Sequence, residues 1–137
     1  MRKHIPAAII AMGLALAAAP AFAHHSFAAE YDGTKPVTLK GKVTEFEWVN
    51  PHSWVHIDVT DDKGTTVNWA CETAPPNILY RQGWRKDSIK PGDEVVIDGF
   101  MAKDGSHTLS ARQVQTPDGK SYLTGTTGDG GPVSSKK

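Results

Sequence analysis

A single cysteine, Cys71, stands among the 137 residues, so no disulfide can form within one chain and stability must come from packing. A lone thiol of this kind is expected to be a small buried hydrophobe. Surplus positive charge is also missing: 15 Lys and Arg face 15 Asp and Glu. That balance leaves no basic stripe to neutralise phosphates, which argues against a nucleic-acid partner. No apolar run reaches the roughly 20 residues that a membrane-spanning helix needs. There is no internal repeat, no paired CxxC and no HExxH, and none of Ser26, Ser53 and Ser88 sits in a nucleophile elbow. Catalysis therefore finds little support.

What is present begins with an export signal. Met1-Arg2-Lys3-His4 is a short basic start, Ile5 to Ala19 is an Ala-, Ile- and Leu-rich segment, and Ala21-Phe22-Ala23 supplies the small residues a signal peptidase requires. Residues 1–23 are expected to be removed, leaving no membrane span, a periplasmic location and a mature chain that starts at His24-His25. Arg2 and Lys3 leave with the signal, giving a net charge near −2. The remaining 114 residues suffice for one domain.

Residues 24–35 show no sustained period and are expected to form an irregular arm. From Val37, apolar residues alternate through Leu39 and Val43, then shift phase so that Phe46 and Trp48 continue the series. A one-residue phase shift inside a strand signals a β-bulge. Asn50-Pro51 breaks the chain before a second strand, in which Val55, Ile57 and Val59 share one face while His52, Trp54, His56 and Asp58 share the other. Asp61-Asp62-Lys63-Gly64 closes a hairpin onto a third strand, Thr65 to Glu72. Pro76 to Gly83 reads as a short helix, with Ile78, Leu79 and Trp84 facing the sheet. Lys90-Pro91-Gly92-Asp93 turns into a fourth strand, Glu94 to Ala102, and Lys103-Asp104-Gly105-Ser106 leads to a fifth, His107 to Thr116. The architecture expected over residues 36–123 is mostly β: a five-stranded OB-like Greek-key barrel with one short helix between strands 3 and 4. An open sandwich of the same strands is the alternative. Residues 124–137 are expected to be a disordered tail.

The chemistry follows from processing. A cut after Ala23 gives His24 a free α-amine beside its own imidazole, a chelate whose nitrogens are available near neutral pH. Such nitrogen donors favour Cu(II). His25 adds an imidazole, and a brace needs one more from the folded body. His52, in the first interstrand loop, is the first choice, His56 the second and His107 the third. His52 and His56 lie four residues apart, about 13 Å along a strand, so one ion cannot readily take both. The competing reading leaves these histidines as solvated or packed residues without a metal. Trp54, between two histidines, is expected to belong to a partner-binding surface or to lie under the arm. Glu45, Glu47, Asp58 and Glu72 read as a solvated face, with paired carboxylates the lesser reading. Arg81, Arg85, Lys86 and Lys90 read as cations favoured by the helix C-terminus.

The stretch Phe46-Glu47-Trp48-Val49-Asn50-Pro51-His52-Ser53-Trp54, with His24-His25-Ser26-Phe27 before it and Gly83-Trp84 and Lys90-Pro91-Gly92-Asp93 after it, resembles a family of small exported proteobacterial proteins known as a domain of unknown function. The chain is distantly similar, by strand order and export, to periplasmic OB-fold proteins linked to stress tolerance. The resemblance implies a periplasmic OB-like barrel and carries over no activity or site residue; fold analogy alone assigns no function.

The expected function is thus non-catalytic periplasmic binding, with copper as the small ligand. The alternative is a metal-independent module for a periplasmic protein or envelope stress. A copper oxidase is disfavoured because so small a barrel offers little substrate surface. Intact-mass measurement of the exported product should give a chain that starts at His24, and any other first residue removes the chelate.

Overall fold

The computed structural model describes residues 27–125. Its order is helix α1 (Phe27–Glu30), strands β1 (Tyr31–Glu47), β2 (Trp54–Thr60) and β3 (Thr66–Glu72), helix α2 (Pro76–Arg81), then β4 (Glu94–Ala102), β5 (Thr108–Gln115) and β6 (Ser121–Leu123). All six strands belong to one sheet in the order β3-β2-β1-β4-β5-β6. Neighbours in that order run antiparallel, while β3 also pairs in parallel with β5 through Ala70↔Thr108, Cys71↔Leu109 and Glu72↔Ser110. That extra pairing closes β1, β2, β3, β5 and β4 into a ring.

The ring encloses the apolar side of each strand. Val43, Val55, Ile57, Cys71, Val95, Ile97, Leu109, Ala111 and Val114 join Leu79, Trp84 and Ile89 in one buried cluster. Alternation puts these residues inside, except that in β5 a register shift leaves Arg112 as an extra residue between Ala111 and Gln113, and Ser110 and Arg112 are buried as well. Trp84, fully buried, lies 5.5 Å from the Phe46 ring and 4.9 Å from that of Tyr122. Its indole N–H donates to the Leu123 carbonyl at 2.8 Å, so the polar atom of this large side chain is satisfied. Cys71 is buried as expected, and burial pushes its thiol up to about 12.

The bulge falls where the sequence phase shifts. Val43 pairs with Ile57 but Glu45 pairs with His56, leaving Thr44 as the extra residue. The Thr44 hydroxyl donates to the His56 carbonyl at 3.3 Å and accepts from the Asn68 amide at 3.1 Å. Gly41 serves a different purpose, since a Cβ there would stand 2.6 Å from the Asp58 carbonyl oxygen. The shift keeps Phe46 packed on the core and turns Glu45 and Glu47 outward.

Three expectations are corrected. The segment expected to be irregular over 24–35 carries a helical turn and the first residues of β1 from Phe27 onward, because Phe27, Tyr31 and Phe100 bury one another in a second small cluster. The Lys103 amide donates to the Glu30 carbonyl at 2.8 Å, fixing this junction against the end of β4. The sheet has six strands instead of five: Ser121–Leu123 adds to β5, with Tyr122 opposite Val114. The expected tail starts too early, because Thr124 is fully buried, donates its amide to the Arg112 carbonyl at 3.0 Å and accepts from the Ala74 amide at 2.7 Å. Residues 24–26 and 126–137 lie outside the described residues.

Arg85 returns over α2 as a cation should. Its guanidinium sits 4.0 Å above the Tyr80 ring and donates to the carbonyls of Tyr80 and Trp84.

Replacing the largest fully buried side chain leaves a cavity and an unpaired Leu123 carbonyl. Trp84→Ala should therefore cost about 3–5 kcal/mol of stability, measured as a lower urea midpoint at unchanged slope.

Candidate functional site

The outer side of β1, β2 and β3 gathers most of the chemistry-bearing residues. On β2, Trp54 and His56 alternate outward with Asp58, and His52 stands just before the strand. Glu72 is the partner of Trp54 on β3, and Glu47 is its partner on β1. The face therefore reads, along β2, as a histidine, a tryptophan and a histidine, with a carboxylate beside each histidine.

His52 is held by its surroundings. The adjoining Ser53 is fully buried, its carbonyl accepts from the Thr73 amide and hydroxyl at 2.9 Å each, and its amide donates to the Ala74 carbonyl at 3.3 Å. From that position His52 Nδ1 is hydrogen-bonded to Glu72 Oε1. The other carboxylate oxygen, Oε2, accepts from the Tyr31 hydroxyl. One carboxylate thus joins an imidazole to a phenol. With Nδ1 engaged by Glu72, Nε2 is the ring atom left to face a ligand, the arrangement that commonly orients a metal-binding histidine. The Glu72 side chain is 13 % exposed and that of His52 38 %. The expectation that Glu72 belongs to a solvated face is corrected: it is enclosed because Tyr31, in the segment expected to be irregular, folds over it.

Tyr31 is itself buried. Its phenol is raised well above the ordinary tyrosine range, first by burial and then by the neighbouring Glu72 carboxylate. Phe27, Glu30, Tyr31, His52, Glu72 and Thr124 contribute to the wall of a cavity of about 60 Å³.

His56 has a carboxylate of its own. Its Nε2 lies 2.6 Å from Glu47 Oε1, with the side chains 23 % and 37 % exposed. Donor atoms of Glu45, Glu47 and His56 all fall within 4.8 Å of one another. His52 and His56 are thus given to separate carboxylates. His107 lies elsewhere, its ring 5.1 Å from that of Trp69. Trp54 is partly buried. It borders a cleft of about 500 Å³ together with Ala29, Tyr31, Ala102, Lys103 and Thr108, so the segment before β1 covers part of it. His24 and His25, the first two residues of the expected chelate, lie outside the described residues.

Sequence reasoning missed Tyr31 and the partner roles of Glu47 and Glu72. The phase of β3 was a usable signal, because Glu72 falls on the face opposite Cys71 and beside His52 once strands 2 and 3 are paired.

Fold and face together define a small, mostly β protein with two histidine–carboxylate pairs flanking a tryptophan. The chain belongs to the family of unknown function DUF6152, whose model matches residues 11–111. No curated protein matches it. No helix among the described residues is long and apolar enough to cross a membrane.

The raised phenol of Tyr31 gives a pH signature. A folded-state value above the unfolded one contributes stability that is complete below the ordinary tyrosine range and is lost as pH rises through the folded value. Absorbance titration of wild type and Tyr31→Phe should therefore coincide just above the ordinary tyrosine value, diverging only when wild type unfolds at higher pH. Earlier divergence would show that Tyr31 ionises freely in the folded protein.

Proposed function

We propose that this is a non-catalytic periplasmic binding protein, an OB-like Greek-key barrel that takes a copper ion between its processed N-terminus and His52. The ring order β1-β2-β3-β5-β4 and the short helix between β3 and β4 support the barrel reading. One observation carries the copper reading. Phe27, three residues after His24, lines the same small cavity as His52, whose Nδ1 is taken by Glu72. Three residues of extended chain reach at most about 10 Å. The amine and imidazole of His24 would therefore be tethered within range of His52 Nε2, and His25 would stand by as a further imidazole. Glu72 would orient the ring, Tyr31 would hold Glu72, and three nitrogens would suit Cu(II).

A second reading has its own support. The cleft beside Trp54 falls in the size range of ligand sites, which favours a metal-independent interaction module for a periplasmic protein or envelope component.

Cu(II) titration of the mature protein with a native His24 terminus separates the two. Tight one-to-one binding that is lost on adding one residue before His24, and weakened at least about tenfold by His52→Ala, is the outcome expected. Equal binding by all three proteins, or none by the native one, overturns the copper reading and leaves the module. Trp54→Ala then becomes the informative variant, because it should weaken capture of the partner without unfolding the domain.

A further inference from the structure

We propose that Glu45, Glu47 and His56 form a second divalent-cation site, on the outer face of β1 and β2, suited to zinc and sharing no ligand with the copper brace. The site is made by the bulge. Val43 points into the core, so an unbroken strand would send Glu45 and Glu47 inward with it. Thr44 is the extra residue that reverses the phase, and it sets Glu45 opposite His56 with Glu47 diagonal to it. Hydrogen bonds from Thr44 to the His56 carbonyl and from Asn68 to both Thr44 and Asp58 fix that register. Three side chains able to bind a metal thus come from a rigid two-stranded platform, not from a loop.

Charge points to a cation. Two carboxylates and an imidazole nitrogen lie within 4.8 Å of one another. Among the described residues the His56 ring is hydrogen-bonded to Glu47 alone, at 2.6 Å. Among the described residues no Lys or Arg pairs with either glutamate: the lysine ion pairs are Lys35 with Asp32, Lys40 with Glu94 and Lys120 with Asp118. The other acids alternating onto this face are Asp58, hydrogen-bonded to Asn68, and Glu72, bonded to His52 and Tyr31. The cation on this face, Lys42, stands opposite Asp58 in the register and makes no ion pair with Glu45 or Glu47 among the described residues. A proton on His56 offsets one carboxylate; a divalent ion offsets both.

The donor set selects the kind of ion. One imidazole and two carboxylates suit a borderline ion with bonds of about 2.0–2.2 Å, and three protein ligands leave a position for water or a partner's side chain. Two donors on such an ion stand no more than about 4.4 Å apart, so small side-chain rotations close the set. The partly exposed His56 and Glu47 allow that movement.

The test uses Zn(II) alone as the probe, in the mature protein carrying one extra N-terminal residue and His52→Ala, so that the copper brace is gone. Calorimetry should then find one zinc per chain. Losing an outer-shell partner already costs about 10–100-fold in metal affinity, so Glu45→Gln and His56→Ala should each weaken binding by at least that much. Thermal midpoints check that the variants fold, and Glu45→Gln, an isosteric change at an exposed position, decides the matter if His56→Ala does not. No zinc binding in that background, or equal affinity in Glu45→Gln, overturns the site. Neither result bears on copper at His24, which the native-terminus titration reads separately.

Discussion

The parallel pairing of Ala70–Glu72 with Thr108–Ser110 is the contact on which the rest depends. Without it the sheet would be an open ribbon whose apolar faces could not enclose one another. With it, Cys71 and Leu109 meet inside the ring and Glu72 and Ser110 meet outside. Such closure joins segments far apart in sequence, and it satisfies edge groups that would otherwise invite pairing with other chains. The core and the histidine-bearing face are therefore two sides of one closure. Glu72 reaches His52 because its neighbour in sequence is locked into the interior.

Within that frame the polar face uses few parts. A phenol, a carboxylate and an imidazole form a chain from Tyr31 to His52, and a second carboxylate steadies His56 on the far side of Trp54. Enclosure of Tyr31 and Glu72 makes the first chain rigid, while the second pair stays closer to water. His52 stands just before β2 and His56 on its outer side, and their environments differ in burial and in partners. A face built this way can treat two ligands differently although it presents the same side-chain chemistry twice.

The sequence made much of this legible. Alternation in Val55, Ile57 and Val59 marked the inner face of β2, and the phase shift between Val43 and Phe46 located the bulge. Pro76 and Gly83 bracketed the helix. What it hid was tertiary. Nothing local marks Tyr31 as the lid on Glu72, since its burial comes from Phe27 and Phe100, the latter 69 residues later in the chain. The strand Ser121–Leu123 is too short to show a period and owes its pairing to β5. Glu72 looked solvated because a carboxylate normally is; only the join of β3 to the segment before β1 reveals otherwise. The candidate metal ligands on β2 could be found by residue type, whereas the carboxylates that serve them needed the register.

Phe27 and the Thr124–Gly125 pair stand on the walls of one cavity, so the polypeptide enters and leaves the described fold at a single doorway. That geometry suits circular permutation. The two ends could be joined by a brief linker and new ones opened at the exposed Gly64 turn, where a Cβ meets nothing. The closed ring would survive the cut, since none of its strands is severed there. A permuted gene would thus yield the same architecture with its doorway sealed.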